Sequence, residues 1–198
     1  MQIHPSPRHA GLITLKGAEL TLNFDIPLDA ERQGVAVELQ DMLVDFVDLT
    51  LIGKHLYWNV EGRLFRSVHQ ERDDLVDAWR ILSDDIAERA VTIGASPDGQ
   101  VEVIAGATRL DPVPPGHLSD RQVLRAIGDR IAEVTRRTRQ RIDRVAVADP
   151  VTCDLLVGTA VTLEKQLWMV RVQLRAPGRA AEATFATPAD DLNGADQP

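Results

Sequence analysis

The chain of 198 residues is long enough for one domain with a well-filled core, and its 44% hydrophobic and 26% charged residues form an ordinary globular balance. Asp and Glu number 30 against 22 Lys and Arg, a formal charge of −8 that argues against a generic polyanion binder, because duplex binding rests on neutralising phosphates. The single cysteine, Cys153, excludes an internal disulfide framework, and no apolar run approaches the roughly 20 residues of a membrane span.

Residues 1–28 read as an N-terminal tail. Prolines and histidines interrupt them where a secretory signal would be apolar, so a cytoplasmic protein is expected. Within this tail, residues 12–26 alternate small apolar groups and are the part best suited to order against a neighbouring subunit. A 3.6-residue apolar period then predicts a helix over 29–59, with Leu39, Met42, Leu43, Phe46, Val47 and Thr50 along one stripe. The stretch "VEGRLFRS" supplies a glycine turn. A second helix over 67–93 follows, aligned through Val68, Leu75, Trp79, Leu82 and Ile86.

Residues 94–118 are too long for a simple turn and suit an end-to-end crossover with a short helix inside. Ser119 and Gln122 form a capping box that opens a third helix over 119–147, striped by Val123, Ile127, Ile131, Val134, Ile142 and Val145. Asp149 before Pro150 caps a fourth helix, residues 150–175, striped by Leu156, Leu163, Leu167, Val170 and Leu174. Residues 177–198, rich in Ala, Pro and Asp, read as a C-terminal tail. The fold class is therefore all-α: a ferritin-type four-helix bundle over residues 29–176 with one long crossover.

Four polar groups of the second helix stand out. With Leu75 at zero, His69, Asp73, Asp84 and Glu88 fall at about 120°, 160°, 180° and 220°, opposite Trp79, Leu82 and Ile86. One reading is the solvated face of an amphipathic helix. The other is a carboxylate–imidazole metal site, which one helix cannot build: His69 and Asp84 lie roughly 22 Å apart, whereas ligands sit about 2.0–2.6 Å from a metal. A shared metal then requires two subunits in an isologous two-fold contact, which generates two identical sites.

The stretches "YWNVEGRLFRSVH" and "DDIAERAVTIGASPDG" resemble the paired signature of Dps, the DNA-binding proteins from starved cells, a family of mini-ferritins. "LEKQLWMVR" resembles its fourth helix, and the resemblance covers about residues 22–175. It implies a shell of twelve subunits that binds Fe(II) at inter-subunit centres, oxidises it preferentially with hydrogen peroxide and stores ferric mineral. Carried over, His69 and Asp73 match the ligands of one subunit, and Asp84 and Glu88 those of its two-fold partner. Trp58 matches the tryptophan beside the site, an electron donor, and also reads as core or interface packing.

One position departs from the pattern. Tyr57 stands where the family has histidine; it reads as a packing aromatic, a hydrogen-bonding hydroxyl near a metal-bound water, or a phenolate ligand or redox-active phenol. Tyrosine's high pKa makes it a weaker ligand for Fe(II) than imidazole at neutral pH. His55 is nearby but displaced by about 200° around the helix.

Asp149 and Asp154, in "DPVTCDLL", match the acidic positions lining the family's three-fold pores, with Asp143 a further candidate. Helix capping and the helix dipole explain the first two equally well. The tails carry few cations, so strong DNA binding is not expected, and no membrane partner is. Arg136, Arg137, Arg139 and Arg141 read as exposed arginines making i,i+4 pairs or subunit contacts. The function expected is that of an iron-oxidising, iron-storing shell in the cytoplasm, free or at the nucleoid. The alternatives are a Dps-type shell with a centre impaired by Tyr57, in a structural or nucleoid role, and a zinc or mixed-metal site that binds without oxidising.

Overall fold

A computed structural model describes residues 12–15, 18–21, 30–62 and 65–175. In chain order the elements are β1 (Leu12–Leu15), β2 (Ala18–Thr21), α1 (Ala30–Trp58), β3 (Val60–Glu61), α2 (Phe65–Thr92), α3 (Val101–Ala107), β4 (Leu118–Ser119), α4 (Asp120–Val145) and α5 (Pro150–Leu174). The four long helices fall where the apolar period places them, and α3 is the short helix expected inside the crossover. The N-terminal tail, within its alternating residues 12–26, carries an antiparallel pair, β1 with β2, in which Leu12 pairs with Thr21 and Leu15 with Ala18. The C-terminal tail lies outside the described residues.

Both helix starts follow from local chemistry. The Ser119 side chain accepts from the Gln122 backbone while Gln122 Oε1 accepts from the Ser119 amide at 2.9 Å, a reciprocal capping box. Asp149 caps α5 by accepting from the Val151 and Thr152 amides, with Pro150 in the first turn, where its missing N–H costs nothing.

The long helices pack as two pairs, α1 on α2 and α4 on α5, and α1 also faces α4. Leu39, Met42 and Phe46 meet Trp79, Ile86, Ile131, Val134, Leu156 and Leu163 in one continuous core. Trp79 is fully buried, and its indole N–H donates to Gln166 Oε1 at 2.9 Å, so the core tryptophan leaves no donor unpaired. Gly53 permits the close approach of α1 to α2: a Cβ there would lie 2.7 Å from both Trp79 Cζ3 and Val76 Cγ2.

The crossover is fastened along its whole course. Near its start the Gln40 amide donates to the Asp98 carbonyl at 2.8 Å and accepts from the Asp98 N–H at 2.9 Å. The Thr108 hydroxyl donates to Asp48, and Arg109 pairs with Asp41. Arg130 donates to the carbonyls of Asp111 and Pro112. At its end β4 joins β3 in parallel, Val60 opposite Leu118. Beside that ladder Gly62 has φ +149°, and a Cβ there would meet Asp120 Oδ2 at 2.7 Å, so this turn requires glycine.

The arginines of α4 correct the sequence reading. Arg136 and Arg139 are exposed as expected, and Arg137 makes its i,i+4 pair with Glu133 at 2.8 Å. Yet Arg137 and Arg141 are buried, and between them they hold the equally buried Asp45. The physical reason is that α1 is covered by α2, α3 and α4 together, so a position off its apolar stripe is still interior. A carboxylate there needs cationic partners. None of the described helices is long and apolar enough to cross a membrane.

Candidate metal centre

Helix α2 turns Leu75, Trp79 and Ile86 into the core and leaves Asp84 and Glu88 exposed on the opposite face, one turn apart. Asp73 lies on the same outer side, eleven residues upstream of Asp84 and so about 16 Å along the helix. His69 belongs to the first turns of α2, and its side chain is outside the described residues. Among the described residues, no group of three His, Cys, Asp or Glu side chains is placed to hold a metal ion. On α2, Asp73 thus stands apart from the pair Asp84 and Glu88.

The last turns of α1 meet the Asp73 end. Lys54 Nζ lies 2.9 Å from Asp73 Oδ1 and 4.8 Å from the centre of the Tyr57 ring, a salt bridge and a cation–π contact made by one ammonium. Its hydrogen bond to Asp73 raises the Lys54 pKa, against a smaller opposing effect of burial. Tyr57 is half-buried. Loss of solvent, followed by the charge of Asp73 and a hydrogen bond to it, raises its phenol pKa, while Lys54 acts in the other direction. The phenol is thus a neutral group hydrogen-bonded to Asp73.

Trp58, next along the chain, is 71% exposed, which removes core packing within one chain as its role. His55 faces the other way: it lines a cavity of about 340 Å³ with Asp48, Ile52 and Thr108, and its buried Nε2 has no hydrogen-bond partner among the described residues. The histidine nearest in sequence is therefore directed at the crossover, away from Asp73.

At the other end of α2, Arg89 ties the helix to the start of α5, donating to Asp149 Oδ2 at 2.6 Å and to Thr152 Oγ1 at 2.9 Å. Burial acts to raise the Asp149 pKa, but the bonds from Thr152 and Arg89 prevail and hold it below the usual carboxylate value. Asp149 is thus a cap and an ion-pair partner within the chain, while Asp154 and Asp143 are exposed.

Sequence reasoning missed Lys54. The available signal was its position three residues before Tyr57, which places both on one side of α1. What it faces on α2 depends on tertiary geometry.

Comparison with known proteins agrees with this architecture. The family model described as a ferritin-like domain matches residues 37–179. The DNA protection during starvation protein 2 of Deinococcus radiodurans is 35% identical over 69% of this chain, which spans 57% of that relative's length. The DNA protection during starvation protein of Mycolicibacterium smegmatis is 35% identical over 79% of this chain and 86% of its own. A solved structure of Mycobacterium smegmatis Dps superposes with a TM-score of 0.74 at 35% identity, covering 79% of this chain and 96% of that one. A bundle with one fastened crossover, outward carboxylates on its second helix and this extent of similarity together place the chain in the Dps family of ferritin-like proteins.

Proposed function

We propose that the chain is a mini-ferritin subunit that binds Fe(II) as substrate at centres shared between two copies, oxidises it with hydrogen peroxide and stores the ferric product in a dodecameric cytoplasmic shell, limiting oxidative damage. His69 and Asp73 of one copy and Asp84 and Glu88 of its two-fold partner supply the ligands. The observation that carries this reading is the separation of Asp73 from Asp84 and Glu88 on the outward side of α2, with exposed Trp58 following the Tyr57 that bonds Asp73. Carboxylates suit hard iron, and imidazole adds a borderline ligand. Trp58 donates an electron when an oxidant attacks the site, and Asp149 and Asp154 line the entry pores. The scarcity of cations in the tails makes strong DNA binding no part of this function.

Anaerobic Fe(II) oxidation after peroxide addition, followed optically for wild type and Asp84→Ala/Glu88→Ala, tests the proposal. Fast oxidation lost in the double variant is expected. Wild-type oxidation no faster than that of free iron would overturn it.

A second reading, a shell with an impaired centre, is favoured by the engagement of Asp73 by Lys54 and Tyr57. Tyr57→His separates the two: a large gain in rate points to an impaired centre, and an unchanged rate to a tolerated substitution.

A further inference from the structure

The side of α1 that the candidate centre does not use looks onto the crossover. Asp48, Leu51, Ile52 and His55 follow one another as successive turns of one helix face, and with Pro112 and Val113 they line the cavity of about 340 Å³. Small-molecule sites span roughly 300–1,000 Å³ and combine mostly apolar walls with a few polar groups. We propose that this cavity binds a small organic amine, a primary ammonium on a short apolar stem.

The charge calls for a cation. Asp48 is half-buried, and its bond within the chain comes from the neutral hydroxyl of Thr108; no Lys or Arg forms an ion pair with it among the described residues. His55 shares the wall, yet its Nε2 has no partner, so the two side chains do not close on each other. Arg130 feels the charge of Asp48, but those of Asp111 and Asp129 act on it more strongly, and its own donors go to the carbonyls of Ala126, Asp111 and Pro112. A carboxylate withdrawn from water is stabilised by a positive partner, and at Asp48 that place is open.

The walls decide which cation. Leu51, Ile52, Pro112 and Val113 would face the water shell of a hydrated metal ion, and no three ligating side chains gather there among the described residues. An alkyl or aryl stem instead removes this surface from water, which is favourable. Leu51 is 56% exposed, so the mouth is open to a ligand from solution.

The test is calorimetric titration of the full chain with benzylamine, and with uncharged benzyl alcohol, for wild type, Asp48→Asn and Leu51→Trp. Asp48→Asn keeps the shape of the side chain and still accepts from Thr108, and it should weaken benzylamine binding about tenfold or more. Leu51→Trp fills the mouth from an exposed position, so the fold is retained and binding should weaken too. The alcohol should bind about tenfold more weakly than the amine. Absence of saturable benzylamine binding by wild type, equal binding by Asp48→Asn, or equal binding of the alcohol overturns the proposal. Sedimentation velocity with and without benzylamine should show the same assembly. Dissociation by the amine overturns the proposal as well, since the cavity would then hold a lysine of a neighbouring copy.

Discussion

Lys54 Nζ lies 2.9 Å from Asp73 Oδ1, so the carboxylate that α2 presents toward α1 already holds a positive partner within the chain. A metal ion that takes Asp73 must turn this ammonium away. Both side chains are partly exposed, and such pairs contribute at most about 1 kcal/mol. Lys54→Met is therefore expected to raise the affinity for a divalent ion by up to about fivefold. Anaerobic Co(II) titration followed by visible absorption measures this, and unchanged affinity would show that the ammonium does not compete.

Asp45 receives Arg137 Nη1 at 2.5 Å and Arg141 Nη1 at 2.7 Å, with all three side chains buried. Asp45→Asn leaves two interior guanidiniums without their shared counter-charge, a loss of roughly 3–5 kcal/mol. Glu133 and Glu38 remain near them and place the expected loss at the lower end. Replacing all three with Leu, Leu and Met should restore much of the stability, because an apolar core needs no pairing. Thermal unfolding at one fixed protein concentration compares the variants.

Gly53→Ala tests the contact between α1 and α2. The added methyl would sit 2.7 Å from Trp79 Cζ3, and the hydrogen bond from Trp79 to Gln166 prevents the ring from sliding freely. Overpacking of this kind costs about 1–3 kcal/mol. A lower urea midpoint with an unchanged slope is the expected result.

Glu133 provides a pH signature. A hydrogen bond from Arg136 is the main cause that holds its pKa near about 2 instead of 4.5; burial opposes the shift, and Arg137 adds to it. A carboxylate lowered in the fold contributes stability that is fully present above the unfolded value and is lost as pH falls toward about 2. Glu133→Gln should flatten this acid limb and leave stability at pH 7 only slightly reduced, because the group is more than a third exposed and solvent screens it. Urea midpoints taken at intervals across that range would reveal a limb unaffected by the substitution.

The long helices were legible because each buries a face that repeats every 3.6 residues. Their starts were legible because Ser119 with Gln122, and Asp149 with Pro150, satisfy backbone donors locally. The outward set of Asp84 and Glu88 followed from the same periodicity. Asp45, Arg137 and Arg141 were not legible, because a charged residue is expected in solvent unless its helix is known to be covered on several sides. The bond from Lys54 to Asp73 links two helices nineteen residues apart in sequence, and no local pattern encodes it. The alternation of residues 12–26 was legible, but two strands of four residues carry too few alternations to show that they pair with each other.

The missing side chain at Gly53 also affects how the outer face of α2 is presented. With the α1 backbone pressed against Trp79 and Val76, the two helices form a stiff slab, and the offset of about 16 Å between Asp73 and Asp84 is held by both together. Such a slab works as a gauge. Under the two-fold arrangement proposed above, a second copy laid across it in the opposite direction would bring Asp73 and the Asp84–Glu88 pair into register only at one offset, so a sliding error large enough to spoil one centre would spoil its two-fold mate as well.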